Sequence, residues 1–276
     1  MSNALATALG FGEQACSAAA IERVGTAELA AVQVSKSFDR KTMVLNNVSF
    51  EIFPGEAVAL IGANGSGKST LLRCCLGLIP LDGGKARLFG KELAALRAQE
   101  LRQIRSKVGF VFQQHNLVPR LTVLSNVLHG SLARTGARGW FQALAPREER
   151  ERAMHCLDLV GLAELAERRA DRLSGGQSQR VAIARALMQQ PQIIIADEPV
   201  ASLDPKAAEE IMESFTRLIQ RINLTFLFTS HNLQHALAYA GRLLGLYGGV
   251  LTLDGPTHSQ NLATLRQLYE LSHSHD

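Results

Sequence analysis

Cysteine is scarce in this chain: Cys16, Cys74, Cys75 and Cys156 are the only four in 276 residues, and none forms a C-x-x-C pair. That excludes a disulfide framework or a thiolate zinc site and points to buried thiols in a reducing compartment. Aromatic residues are few as well, at 5%. The net charge of +4 and a pI near 9.0 are mildly basic. The charges are scattered, densest at 85–107 and 147–172, without the clustered aromatics of a nucleic-acid surface. They read as solvated faces, and no nucleic acid is expected as a partner. Long apolar runs are missing too. The longest, such as 192–196 and 224–228, fall far short of the roughly 20 residues a membrane-spanning helix needs. The N-terminus has no basic region and no continuous apolar stretch, so a signal peptide is not expected. No internal repeat is visible. The expectation is a soluble cytosolic chain, with 46% hydrophobic and 20% charged residues and ample material for a core.

What is present starts at residues 60–70, LIGANGSGKST. Gly62, Asn64, Gly65, Ser66, Gly67, Lys68 and Ser69 fall within the phosphate-loop pattern G-x-x-x-x-G-K-[ST]. The run before it, 57–61, is short and apolar, as a buried strand should be, and 69–76 holds good helix formers. The loop therefore lies between a strand and a helix N-terminus. There glycines let N–H groups turn inward and the helix end adds partial positive charge. Lys68 would reach the β- and γ-phosphates and the Ser69 hydroxyl would hold Mg²⁺.

Read in order, residues 1–28 form a poorly ordered, Ala-rich extension with one short helix near 15–23. A first strand is expected at 29–34 and a loop at 36–40. Phe38 in that loop is either a core aromatic or a platform for stacking a purine. Strands are expected at 44–52 and 85–89, with turns at 54–56 and 82–84. A helix is expected at 93–104 and a strand at 108–113. From 122 to 189 helical patterns dominate, an inserted block of subdomain size. Beyond it come a strand at 192–198, an amphipathic helix at 206–221, a strand at 224–230 closed by His231, a helix at 234–240, a hairpin at 243–253 and a polar helical tail. His273 and His275 in that tail read as solvent-exposed.

Two further constellations carry chemistry. The strand at 192–198 ends in Asp197 and Glu198. Adjacent carboxylates closing an apolar strand are costly without a cation. Asp197 would bind Mg²⁺, directly or through water, and Glu198 would polarise an attacking water. The run LSGGQ at 173–177 precedes a helical stretch, and a serine cap followed by two glycines makes a second anion site.

Taken together, GANGSGKST, Gln113 in VFQQ, LSGGQ, IIIADEP, Ser202-Leu203-Asp204 and His231 stand in one order. By that ordered set, over about 29–256, the chain resembles the nucleotide-binding subunit of an ABC transporter. The resemblance implies an α/β P-loop NTPase of ABC type. Its parts would be a RecA-like core, an antiparallel β subdomain and an inserted α-helical subdomain at about 115–189, in an ATPase domain spanning 29–257 with a tail at 258–276. It implies ATP and Mg²⁺ as ligands and a head-to-tail homodimer in which LSGGQ of one subunit covers ATP on the other.

By the same likeness Phe38 is the adenine-stacking aromatic, and Gln113 senses Mg²⁺ and the attacking water. Ser174, Gly175, Gly176 and Gln177 act on the nucleotide in trans, Asp204 lies in the loop linking the two sites, and His231 meets the γ-phosphate. Thr70 closes the phosphate-loop set. Ser178 departs from the Gln or Arg common after the signature. FQQHNLVPRLTVLSNVLHGSL, the Trp140 segment GWFQAL, RRADRLSGGQ and ADEPVASLDPKAAEEIM are similar to phosphonate-importer ATPases. That implies permease partners, a periplasmic or extracellular solute-binding protein, and a peripheral place on the cytoplasmic face of the inner membrane. The alternatives are an ATPase of an importer for another small solute, such as amino acids, and a soluble ABC ATPase with no transport role.

Overall fold

The computed structural model describes residues 25–39, 41–136, 142–262 and 265. The expectations for residues 1–24, for Trp140 and for the tail from 266 onward lie outside them. In chain order the elements open with strands β1 (Leu29–Ser37), β2 (Met43–Ile52) and β3 (Ala57–Ile61) and helix α1 (Lys68–Cys75). Strands β4 (Gly83–Leu88) and β5 (Lys91–Glu92), helix α2 (Ala98–Arg105) and strand β6 (Val108–Val111) follow. Helices α3 (Val123–Leu128), α4 (Leu132–Thr135), α5 (Arg147–Leu159) and α6 (Gly175–Met188) come next. The chain continues through β7 (Ile193–Ala196), α7 (Pro205–Arg221), β8 (Thr225–Ser230), α8 (Leu233–Tyr239), β9 (Arg242–Tyr247) and β10 (Val250–Pro256). They fall into two compact units, one running to Ala95 and resuming at Thr229, the other spanning Leu96–Phe228.

The first unit carries an antiparallel sheet in the order β2-β1-β4-β5. It also holds β3 paired in parallel with β9, from Val58 opposite Arg242 to Ile61 opposite Gly245, with β10 antiparallel to β9. β3 and β9 are almost wholly buried, which explains their near-continuous apolar sequence. Gly248 and Gly249, at φ 49 and 76, supply the left-handed pair that a two-residue hairpin turn requires. Arg242, buried at the start of β9, is held by Asp254 at 2.6 Å and Glu56 at 3.1 Å.

Two expectations for this unit are corrected. β1 does not stop at residue 34 but runs to Ser37, because Asp82 accepts the Lys36 ammonium at 2.9 Å and the Ser37 N–H at 2.7 Å. Gly83 and Gly84 open β4 and are not a separate turn. β1 slips register against β4 between Val32 and Ser35, and a Cβ on Gly84 would stand 2.2 Å from the Gln33 carbonyl oxygen, so only glycine fits opposite that bulge.

In the second unit β6, β7 and β8 are parallel, with Val108 opposite Ile193 and Ile193 opposite Thr225. α6 packs on α3, α5, β6 and α7. α7 begins at Asp204, whose side chain accepts the Ala207 N–H at 3.0 Å, with Pro205 at its first position where a missing N–H costs nothing. Its apolar stripe buries Ile211, Met212, Phe215 and Ile219, and Phe215 meets Phe226 of β8 edge-on at 5.0 Å. The helix expected at 93–104 is split into a 3-10 turn, Leu93–Ala95, and α2. Arg97 is extended, and its N–H is taken by Glu100 at 2.8 Å, so the acceptor half of a capping box restarts the helix. The strand expected to reach Gln113 ends at Val111.

Candidate functional site

The phosphate loop is fully formed in the first unit. It leaves β3 at Ile61 and enters α1 at Lys68, so the sequence-predicted Gly62, Asn64, Gly65, Ser66, Gly67, Lys68, Ser69 and Thr70 lie on one turn and one helix end. Gly67 is the N-cap of α1 at φ 99, and no side chain caps that helix. A Cβ on Gly67 would meet the Val44 carbonyl oxygen at 2.9 Å, and one on Gly62 would meet the Leu246 carbonyl oxygen at 2.4 Å. The loop is thus wedged between β2 and β9, a place only bare backbone can pass. Lys68 is 5% exposed, and its ammonium donates to the carbonyl oxygens of Gly62 at 2.8 Å and Ala63 at 3.0 Å. The Ser66 hydroxyl is buried without a hydrogen-bond partner. An uncapped helix end, a cradle too tight for a Cβ and an orphaned hydroxyl fit a bound triphosphate.

Elsewhere in this unit Phe38 is 64% exposed, in the turn between β1 and β2, which removes the core-aromatic reading. His231 directly follows β8 and is exposed. Its position is set by Asn232, whose N–H goes to the Ser230 hydroxyl at 2.9 Å and whose side chain caps α8 through Gln234 N–H at 2.9 Å.

In the second unit β6 and β7 end side by side, Val111 opposite Ala196. Gln113 and the Asp197-Glu198 pair therefore both follow the carboxyl ends of adjacent strands, where open α/β sheets bind ligands. Asp197 is 5% exposed and its N–H donates to the Val111 carbonyl at 2.9 Å. Glu198 holds φ 46, a left-handed backbone that costs a non-glycine residue about 1–3 kcal/mol and persists chiefly at functional positions. Among the described residues no group of three or more His, Cys, Asp and Glu could hold a metal ion. Mg²⁺ takes oxygen donors and completes its shell with waters and the nucleotide's own phosphates, so the Ser69 hydroxyl in the first unit and the Asp197 carboxylate in the second are each of the chemistry that ion takes.

The signature residues start α6. Ser174 is its N-cap, accepting the Gln177 N–H at 3.3 Å, while Gln177 accepts the Ser174 N–H at 3.0 Å. A Cβ on Gly175 would meet the Leu203 side chain at 3.2 Å, so the signature and the Ser202-Leu203-Asp204 stretch are brought together. Asp204 itself is spent as the cap of α7.

Sequence reasoning missed Arg185. Near the C-terminal end of α6 it donates to the carbonyl oxygens of Asn116 at 2.6 Å and His115 at 2.7 Å, tying the loop after Gln113 to the signature helix. Burial, and secondarily the nearby Arg185 charge, lowers the His115 pKa. Burial also lowers that of Arg185. Arg185 stands among the buried Val181, Ala182 and Met188 of α6, and a single arginine in an apolar helical stretch does not say in sequence which carbonyls it will clasp.

A phosphate loop beside β2 and an Asp-Glu pair closing a parallel strand define a P-loop nucleoside triphosphatase. The comparisons narrow the class: a family model described as ABC transporter matches residues 45–201, and the chain belongs to that family as an ATP-hydrolysing cassette. It is 41% identical over 237 residues to the phosphonates import ATP-binding protein PhnC 2 of Oceanobacillus iheyensis, covering 86% of this chain and 93% of the relative. It is 46% identical over 242 residues to the protein of the same name from Pseudomonas savastanoi pv. phaseolicola, covering 86% and 87%. The phosphate-import ATP-binding protein PhnC of Mycolicibacterium smegmatis is 45% identical over 237 residues, covering 86% and 90%. Among solved structures, the dimeric post-hydrolysis state of the ATP-binding cassette MJ0796 bound to ADP and Pi aligns at TM-score 0.72 and 35% identity, over 83% of this chain and 98% of that one. The protein cbiO1 of Clostridium perfringens, part of the ABC transporter complex cbiONQ, aligns at TM-score 0.75 and 26% identity, over 85% and 90%.

Proposed function

We propose that this chain powers the import of phosphonates, or related phosphorus oxyanions, through a separate membrane permease. The observation that carries the cargo is the naming of curated relatives, at 40% to 46% identity, for phosphonates import, with one named for phosphate import. No described helix is long and apolar enough to cross a membrane, so the passage itself falls to another subunit. The chain then sits at the cytoplasmic face of the membrane, and a solute-binding protein delivers the cargo on the far side.

In this reading Lys68 and the loop N–H groups hold the β- and γ-phosphates, and Phe38 stacks the adenine. Ser69, Gln113 and Asp197 would hold Mg²⁺, which would supply charge neutralisation for the phosphates. Glu198 takes a proton from the attacking water, and Gln113 orients that water. His231 donates to the γ-phosphate. Ser174, Gly175, Gly176 and Gln177 act on the nucleotide of a second copy, and Asp204 lies between the two sites of the dimer. The dimeric MJ0796 cassette supports a homodimer.

The test is the ATPase activity of the reconstituted complex with its cognate binding protein, against 2-aminoethylphosphonate, methylphosphonate, phosphite, phosphate, histidine and methionine. Stimulation by the phosphorus compounds is expected, and stimulation by an amino acid alone would overturn the cargo. The relative named for phosphate import makes the phosphate arm decisive between the two oxyanion classes.

A further inference from the structure

The turn that presents Phe38 is held at both ends. Asp39 accepts the N–H groups of Lys41 at 2.9 Å and Thr42 at 2.8 Å, which closes the turn from inside. Asp82, from the approach to β4, takes the Ser37 N–H and the Lys36 ammonium. Lys36 is only 7% exposed, and its Nζ stands over the Phe38 ring, 5.5 Å from the centroid. That is inside the range at which a cation is drawn to a ring face.

The far end of the turn leads to the phosphate loop. Met43 pairs with Ser37 across the strands, and the next residue, Val44, is the one whose carbonyl closes on Gly67. The ring is thereby fixed a short step along the chain from the phosphate-binding backbone. An exposed phenyl ring lowers its free energy by folding down on any apolar neighbour. A cation over it, itself anchored by a carboxylate, opposes that collapse and sets the tilt of the ring.

We propose that Lys36 and Asp82 are positioning residues for nucleotide binding: Asp82 anchors the Lys36 ammonium, and Lys36 holds the Phe38 ring open for the base. This rests on the reading of Phe38 as the base platform. The competing role is a plain staple of β1 to β4, which would give stability and no selectivity for the base.

Dissociation constants of the full-length chain for ATP and for inorganic tripolyphosphate, which has no base, separate the two by calorimetry. Phe38→Ala should weaken ATP binding about 10-fold, the usual worth of one base stack, and leave tripolyphosphate unchanged. Lys36→Met and Asp82→Asn should each weaken ATP about 3- to 5-fold, again sparing tripolyphosphate, and add nothing once Phe38 is already alanine. Lys36→Arg should recover part of the loss. Asp82→Asn keeps an acceptor for the Ser37 N–H and serves if Lys36→Met fails to fold. A loss in Phe38→Ala with none in the Lys36 and Asp82 variants, or losses that persist in the Phe38→Ala background, would overturn the positioning role and leave the platform standing. ATP binding unchanged in Phe38→Ala would remove the platform and the inference with it.

Discussion

Glu198 combines two features at one residue, a carboxylate at the end of an apolar strand and a backbone at φ 46. Both cost free energy and neither packs the core, so the chemistry of the side chain explains them better than stability does. Replacing it with Gln keeps the shape and removes the proposed base. Glu198→Gln is expected to bind ATP as the wild type does and to lose roughly two to four orders of magnitude in turnover; single-turnover rates near wild type would remove the base assignment. The cysteines make a second case at this scale. Burial raises the Cys74 and Cys156 thiols from an ordinary 9.0 to about 11, and pushes Cys75 up further still. Their folded pKa values exceed the unfolded ones. The stability they carry is therefore complete below about pH 9 and lost as pH rises toward 11. In a Cys16→Ser background, a disulfide reagent at pH 8 should label no thiol until denaturant is added. The denaturation midpoint should fall between pH 9 and 11, and fall less in Cys74→Ala/Cys156→Ala. Rapid native labelling would show the thiols to be reachable.

The element on which most turns is α6. Its serine cap and reciprocal Gln177 bond are worth about 1 kcal/mol as a helix start, but Gly175 and Gly176 leave that start bare of side chains. At its other end Arg185 grips the loop that follows Gln113. One helix therefore carries the signature and holds the glutamine loop. If the signature acts in trans, Ser174→Arg should bind nucleotide normally and fail to hydrolyse it. Mixing it with a Lys68→Ala chain should then restore part of the activity, because one of the two composite sites holds neither lesion. Loss of nucleotide binding by Ser174→Arg itself would place the serine in its own subunit's site.

At the scale of the whole molecule, no described helix is long and apolar enough to cross a membrane, and the proposed action of the signature on a second copy calls for dimerisation driven by nucleotide. With ATP and Mg²⁺ present, Glu198→Gln should elute as a dimer in size-exclusion chromatography and return to monomer with ADP. A persistent monomer with ATP would count against the composite site. In the wild type the dimer should be transient, since in the proposed composite site hydrolysis removes the γ-phosphate that would join the copies.

Most of this protein was legible before any coordinates. GANGSGKST, LSGGQ and IIIADEP are backbone-dictated motifs, in which glycine marks close approach and a terminal acid marks a ligand, so residue type alone carries the chemistry. The apolar runs found the buried strands at 57–61 and 192–198, the second observed as Ile193–Ala196, because they are apolar on both faces. Tertiary structure decided what depends on partners far along the chain. The extension of β1 to Ser37 rests on Asp82, 45 residues on. The grip of Arg185 on residues 69 and 70 positions back is a long-range pairing of the same kind, and so is the anchoring by Asp82 of the Lys36 ammonium that stands over the neighbouring Phe38 ring. A sequence window sees propensity and spacing, while these contacts exist only once the chain has folded and brought the distant partners within hydrogen-bonding distance.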